Sequence, residues 1–266
     1  MLDVDFAELS DAGAVREHNE DRTGFVLPKS NDEARTRGWL FALADGVGGQ
    51  DRGEVASTVA VDTMLAGFRK ATPGEPLAAI LPRLIQKANT SVFETGMATG
   101  PGGSSMATTM VACALRFNRA TVAHVGDSRC YLIRNGQSCV ITNDHTVANE
   151  QFHLGILSSE EVNSLPTRHL LSRSLGTNLF VKVDLREVQV QAGDVLLLCS
   201  DGLHGALSSE EIVYTVSRGR DLNAVAKNLV ASANRQDGSD NVSLQLIAVR
   251  SVERMGMYRG RPYKLR

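Results

Sequence analysis

A chain of 266 residues, 42% hydrophobic and 22% charged, is long enough for one large domain or two small ones and has the composition of an ordinary soluble globular protein. A net charge of −2 supplies no basic face of the kind that attracts nucleic acid. No apolar run suits a membrane span, and the opening Met1-Leu-Asp-Val-Asp-Phe-Ala-Glu8 is acidic where a secretory signal is basic and then apolar, so one cytoplasmic domain without nucleic-acid or membrane partners is expected.

In chain order, Val4 to Leu9 and Asp21 to Leu27 read as strands, separated by a polar segment that holds Arg16 and Asn19. A charged loop, Pro28 to Arg37, follows. Trp39 to Ala44 is a short apolar run ending at Asp45, after which Gly46, Val47, Gly48 and Gly49 let the backbone approach a ligand and offer it carbonyls. Glu54 to Lys70 spaces Val55, Val59, Leu65 and Phe68 as one helical face, and a second helix runs from about Pro76 to Thr95 after the Pro73-Gly74 break.

Gly100-Pro-Gly-Gly-Ser104 reads as a loop, and Met106 to Phe117, Ala120 to Val125 and Arg129 to Arg134 as a meander of strands. Asn135-Gly136 predicts a hairpin that pairs Tyr131 to Arg134 with Ser138 to Ile141. Asn143 to Ser172 is polar, helical in propensity at Ser159 to Ser164 and broken by Pro166. Lys182 to Val190 and Asp194 to Cys199 read as strands turning at Ala192-Gly193. Ser208 to Ser217 and Leu222 to Asn234 read as helices, the first opened by a capping box of Ser208 and Glu211, and Val242 to Val249 closes as an alternating strand. Strands clustered together with helices in separate pairs argue for antiparallel α+β layering and against a βαβ sheet. The four cysteines, Cys113, Cys130, Cys139 and Cys199, lack Cys-x-x-Cys spacing and sit in apolar runs, as buried free thiols do.

Five aspartates stand in short Gly-rich or polar settings. These are Arg16-Glu-His-Asn-Glu-Asp21, Leu43-Ala-Asp45-Gly46-Val-Gly48-Gly49, Val125-Gly-Asp127-Ser-Arg129, Cys199-Ser-Asp201-Gly202-Leu203 and Asp237-Gly-Ser-Asp240-Asn241. One Asp-Gly alone is a turn, but a turn gives no reason for Arg16 five residues before Asp21 or for Asn241 directly after Asp240. Three of the settings follow apolar strand-like runs, and if those strands converge the carboxylates raise one another's pKa unless cations neutralise them. All-oxygen ligands without clustered Cys or His favour Mg²⁺ or Mn²⁺ over Zn²⁺ or Cu²⁺.

In this order and at these separations the motifs resemble those of the metal-dependent protein serine/threonine phosphatases of type 2C in their compact bacterial form. The resemblance runs from roughly Phe6 to Val249 and includes Thr108-Thr109, Asp144-His145 and Arg173-Ser-Leu-Gly176. It implies a four-layer α-β-β-α sandwich, two packed antiparallel sheets flanked by helix pairs, with residues 1–250 as the catalytic domain and a small flap subdomain at about 143–172. Residues 251–266 remain as a basic tail carrying Arg254, Arg259, Arg261, Lys264 and Arg266, read as a solvated, poorly ordered terminus.

The resemblance also implies two Mn²⁺ or Mg²⁺ ions, with a third held more weakly, and direct attack on phosphoserine and phosphothreonine by a metal-bridging water. Carried over by position, Asp45 resembles the ligand bridging both metals, with the Gly46 carbonyl on one of them. Asp201 and Asp240 resemble ligands of the other metal, Asp21 a ligand acting directly or through water, and Asp127 a ligand of the third. Arg16 fits the phosphate clamp, since a guanidinium grips two phosphoryl oxygens at once. Asn241 is expected to orient Asp240 or a metal-bound water. Many eukaryotic members carry a His after the Asp-Gly where this chain has Val47, which donates no proton, so the general acid is unassigned. His18 is read as structural or solvent-facing and His124 as a satisfied core histidine.

The expected partners are phosphorylated Ser/Thr proteins and a cognate bacterial Ser/Thr kinase, acted on by a monomer. The competing readings are a catalytically silent phosphoprotein-binding pseudophosphatase, a two-metal phosphodiesterase or nuclease, and a Ser200 nucleophile beside Asp201 and His204, which lacks a Gly-x-Ser-x-Gly elbow.

Overall fold

The computed structural model describes residues 2–47, 52–98, 106–165, 167–253, 255–258 and 261–264. The expected glycine approach at Gly48 and Gly49, the loop at Gly100 to Ser104 and the break at Pro166 lie outside the described residues. The first half of the chain forms β1 (Asp3–Asp11), β2 (Arg22–Val26), α1 (Asn31–Thr36), β3 (Trp39–Ala44), α2 (Gly53–Arg69), α3 (Leu77–Met97), β4 (Met110–Arg116), β5 (Arg119–Val125), β6 (Arg129–Arg134) and β7 (Gln137–Val140). Then come α4 (Val147–His153), α5 (Ser159–Ser164), β8 (Asp184–Gln189), β9 (Val195–Cys199), α6 (Asp201–His204), α7 (Ser209–Arg218), α8 (Leu222–Gln236), β10 (Val242–Ser251), β11 (Met255–Tyr258) and β12 (Arg261–Lys264).

Two five-stranded antiparallel sheets, ordered β1-β10-β9-β6-β7 and β2-β3-β4-β5-β8, stack face to face between pairs of helices. The strand sequences explain the layering. Every residue of β3 is buried, because alternate side chains enter different cores. Trp39, Phe41 and Leu43 join the core between the sheets, while Leu40, Ala42 and Ala44 face α2 and α3. On the other sheet Leu196 and Leu198 enter the central core, and Leu197 and Cys199 face α7 and α8. Phe6, Phe25 and Phe41 meet there at ring-centroid distances of 4.6 to 6.5 Å. Truncating the fully buried Phe41 to Ala would cost about 3–5 kcal/mol.

The Asn135-Gly136 hairpin forms, with Tyr131–Arg134 pairing Gln137–Val140, one residue earlier than the expected Ser138 to Ile141 because the two-residue turn sets Arg134 opposite Gln137, and with positive φ of 52° and 74° at the two turn residues. The Ser208–Glu211 capping box is reciprocal, each side chain bonding the other residue's backbone N–H.

Several expectations are corrected. The charged segment 28–37 contains α1, capped by Ser30, whose hydroxyl accepts from Glu33 N–H. Ala192-Gly193 does not close a hairpin: β8 pairs with β5 and β9 with β10 and β6, so this turn carries the chain from one sheet to the other. β10 alternates in sequence but is buried on both faces from Val242 to Val249, since it lies inside the sandwich. Cys139 is exposed on the edge strand β7, whereas Cys113, Cys130 and Cys199 are buried. The chain stays anchored to Glu253, buried against Arg35, and beyond it β11 and β12 pair antiparallel where a poorly ordered tail was expected.

Candidate metal and phosphate site

The antiparallel register brings the starts of β2, β4, β6 and β10 beside the ends of β3, β5 and β9: Arg22 lies opposite Ala44, Met110 opposite Val125, and Arg129 and Leu244 both opposite Cys199. Every aspartate singled out in the sequence stands at one of these strand ends. A cleft of about 380 Å³ is lined by Arg16, Asp45, Gly46, Asp127, Asp201 and Asp240. Asp21 lies buried behind it, joined to its partners through Ser200.

Asp45 is held by its backbone. Its N–H donates to Thr109 Oγ1 at 2.9 Å, and its carbonyl accepts from Thr109 N–H at 2.8 Å and Thr108 Oγ1 at 2.7 Å. Thr109 Oγ1 in turn meets Ser128 Oγ at 2.7 Å. The next residue is as constrained: Gly46 N–H donates to Glu20 O at 3.1 Å, and a Cβ on Gly46 would lie 2.5 Å from the Gly53 carbonyl oxygen. The Glu20 carboxylate stands beside Gly53. Burial, Glu54 and Asp240 push its pKa up.

Asp201 opens the short helix α6, whose Gly202 packs directly on the Asn241 carbonyl. Arg16 reaches across from the 12–20 loop, its Nη2 donating to Asp240 Oδ2 at 3.0 Å and its Nε to Ser239 O at 3.2 Å. The rest of this guanidinium is exposed at the lip of the cleft. Asn241 does orient the Asp240 carboxylate, though through its backbone N–H, which donates to Asp240 Oδ1 at 2.9 Å, while its side chain serves the neighbouring loop. Its Oδ1 accepts from Glu20 N–H, and its Nδ2 donates to Ala12 O and His18 O, so it stitches the Arg16 loop to the site.

Electrostatically the cluster is overcrowded with carboxylates. Burial first, then Asp21, Asp201 and Asp127, hold Asp45 well above the ordinary carboxylate range. Asp127 is raised by burial and by Asp201 and Asp144, and Asp201 by burial and Asp240. Asp21 is pushed up to about 7, again mainly by burial, against the opposing pull of Ser243 and Ser200. One of its oxygens, Oδ1, is buried with no protein partner. Leaving such an atom unsatisfied is costly, and hard divalent cations among oxygen donors relieve both it and the crowding. The donor set therefore fits Mn²⁺ or Mg²⁺.

Ser200 is no nucleophile: it is fully buried and donates its hydroxyl to Asp21 Oδ2 at 2.8 Å, while His204 meets the Asp127 carbonyl at 3.0 Å. Of the other histidines, His18 is exposed and His124 is buried with Nε2 on the Asn143 backbone, both in line with the expectation. His169 enters the cleft from the 143–172 segment, with Nδ1 3.8 Å from Asp201 Oδ2, and its ligand atom lies within 4.8 Å of those of Asp127 and Asp201. Glu20 and His169 were not singled out from sequence, Thr109 stood only within the Thr108-Thr109 motif, and Ser200 only as a competing nucleophile. Glu20 carried a signal there as the second acid of Asn19-Glu20-Asp21.

A family model described as protein phosphatase 2C matches residues 17–245. The chain belongs to the protein phosphatase 2C family. It is a protein serine/threonine phosphatase by that membership. The serine/threonine phosphatase stp of Listeria welshimeri is 33% identical to this phosphatase over 258 residues, covering 95% of this chain and 96% of the relative. The crystal structure of the Mycobacterium tuberculosis serine/threonine phosphatase PstP superposes with a TM-score of 0.81 at 34% identity, covering 94% of this chain and all of that one. The catalytic domain of PstP in complex with two manganese ions superposes with a TM-score of 0.79 at 33% identity, covering 94% of this chain and 100% of that chain. The four-layer fold read from the sequence is that of these 2C-type phosphatases. Among the described residues of this phosphatase, no helix is long and apolar enough to cross a membrane.

Proposed function

We propose that this chain hydrolyses phosphoserine and phosphothreonine in proteins by direct attack of water on phosphorus, reversing a bacterial Ser/Thr kinase as a cytoplasmic monomer. The catalytic domain is residues 1–250, with the flap at 143–172 and residues 251–266 as an appended basic tail. The supporting observation is the convergence of Asp45, Asp127, Asp201 and Asp240 on one cleft, with the unpartnered Asp21 Oδ1 behind it.

Asp45, Asp201 and Asp240 would hold the two principal cations, with the Gly46 carbonyl as a further donor, Glu20 beside Gly53 and Asp21 supporting from beneath. Asp127, together with Asp201, would hold the weaker third. When bound, divalent cations supply a water acidified toward neutrality and positive charge for the phosphoryl oxygens. Arg16, steered by Asp240 and the Ser239 carbonyl, keeps donors free at the lip to grip the phosphoryl group. The Thr108–Thr109 hydroxyls fix Asp45 before substrate arrives, so no reorganisation is needed at the moment of reaction.

The test is hydrolysis of p-nitrophenyl phosphate and a phosphothreonine peptide by wild type and Asp201→Asn, each with Mn²⁺, Mg²⁺ or EDTA. Metal-dependent turnover lost in the variant is expected. A folded wild type inert with every metal would instead make the chain a silent phosphoprotein-binding module.

A further inference from the structure

Two sequence motifs take no part in binding at the cleft, yet both converge on Asp127: Asp144-His145 at the start of the 143–172 segment and Arg173 just after its end. His145 N–H donates to Gly126 O at 3.0 Å, and Gly126 N–H donates to His145 Nδ1 at 3.1 Å. One residue thus satisfies both backbone groups of the residue preceding Asp127. Gly126 sits at φ 105°, where a Cβ would lie 2.6 Å from the Thr109 side chain, so the turn is confined on its other face as well. On the far flank of Asp127, Arg129 binds Asp144 through three contacts of 2.6 to 3.1 Å.

The same histidine closes the segment on itself. Its carbonyl accepts from Ser172 N–H at 2.9 Å, joining the two ends of 143–172. Its Nε2 lies 3.1 Å from Arg173 Nη1 and 3.4 Å from Asp184 Oδ2, and its ring stacks on His124 at 4.7 Å and 15°. With Nδ1 accepting from Gly126, the ring proton resides on Nε2, facing Asp184. His124, His145 and Asp184 cluster as metal ligands do, but this is no metal site: the Nδ1 lone pair is taken, and the Arg173 guanidinium contacts both His145 Nε2 and Asp184.

We propose that His145 is a positioning residue that locks the Gly126–Asp127 turn to the root of the flap, so that cation binding at Asp127 and the position of the flap are one coupled equilibrium. By linkage, an ion at Asp127 steadies the flap, and a displaced flap loosens that ion to the same degree. The inference rests on the reading of Asp127 as the ligand of the weakest site, so Asp127→Asn serves as its reference.

The experiment counts bound Mn²⁺ by electron paramagnetic resonance on wild type, Asp127→Asn, His145→Ala, His145→Asn and His145→Gln, with trypsin cleavage at Arg168 as a reporter of the flap. The Asn amide keeps an acceptor in the place of Nδ1, whereas Gln places its amide at Nε2. Asp127→Asn is expected to lose the weakest ion. His145→Ala and His145→Gln are expected to weaken the same ion about tenfold and speed cleavage in the presence of Mn²⁺, the size of one lost hydrogen bond of about 1.4 kcal/mol. His145→Asn is expected to stay near wild type, and the two tighter ions are unchanged throughout. If His145→Ala fails to fold, the Asn and Gln pair decides alone. Loss of the ion in Asp127→Asn with wild-type binding in His145→Gln, or equal weakening in the Asn and Gln variants, overturns the coupling. Full metal binding by Asp127→Asn overturns the ligand assignment beneath it.

Discussion

Ser200 donates its hydroxyl to Asp21 Oδ2 at 2.8 Å and accepts from Ser243 N–H at 3.0 Å, so a single buried serine orients a buried carboxylate and satisfies a strand amide. Ser200→Ala would strip both partners and is expected to lower stability by about 2–3 kcal/mol, measured by urea unfolding in EDTA. Asp21→Asn should act in opposite directions in the two metal states. It removes a crowded buried charge, raising the melting temperature in EDTA, and it diminishes the further rise that Mn²⁺ produces.

The carboxylate cluster makes the metal-free protein sensitive to pH. Carboxyls with folded pKa above their unfolded values bind more protons folded than unfolded, so stability falls as pH rises from about 4 through the raised values, to about 7 for Asp21. His145 and His204 act in the other sense. Burial depresses them to about 4 and about 3, so their contribution is complete above about 6.5 and is lost as pH falls through the folded values. Cations cancel the carboxylate contribution. The gap in melting temperature between Mn²⁺ and EDTA is therefore expected to widen by several degrees from pH 5 to 7, and a gap constant with pH would contradict this account.

Thr109→Val preserves shape and removes the oxygen that receives Asp45 N–H and meets Ser128. Leaving a buried N–H unpaired costs about 1–3 kcal/mol, and urea unfolding should show it. Turnover of p-nitrophenyl phosphate should fall about tenfold at saturating Mn²⁺, because Asp45 loses its fixed backbone.

Glu20→Gln tests the acid overlooked among the site residues. Its carboxylate packs on Gly53, which also abuts Gly46, so the Mn²⁺ concentration for half-maximal activity is expected to rise by tenfold or more, with the circular dichroism spectrum unchanged.

Arg16→Ala is expected to lower kcat/KM for a phosphothreonine peptide by about a hundredfold, in the range of a charge-assisted bidentate contact of 2–3 kcal/mol. Arg16→Lys should recover only part of this, since an ammonium cannot reach Asp240, Ser239 O and two phosphoryl oxygens together. Equal activity of Lys and Arg at this position would remove the clamp.

What was legible in the sequence was local. Trp39 to Ala44 read as a strand and Asp45 as its polar end because continuous apolar runs and Asp-Gly steps are governed by neighbours along the chain. The Asn135-Gly136 turn and the Ser208 cap likewise rest on interactions within four residues. Ala192-Gly193 was legible as a turn but not as a crossing between sheets, since a turn's chemistry does not record which strand lies beside the next one.

The chain order of motifs was enough to determine the family, the layer pattern and the convergence of five aspartates, because a strand end is marked by the residues that stop it. Only tertiary structure decided that the Asn241 side chain holds the Arg16 loop, that Ser200 is a buried donor, and that His145 grips the residue before Asp127. Those contacts join residues from 19 to 223 positions apart. Hydrogen bonds of that span are set by how the two sheets stack and which strand ends meet, and no period or local propensity encodes them.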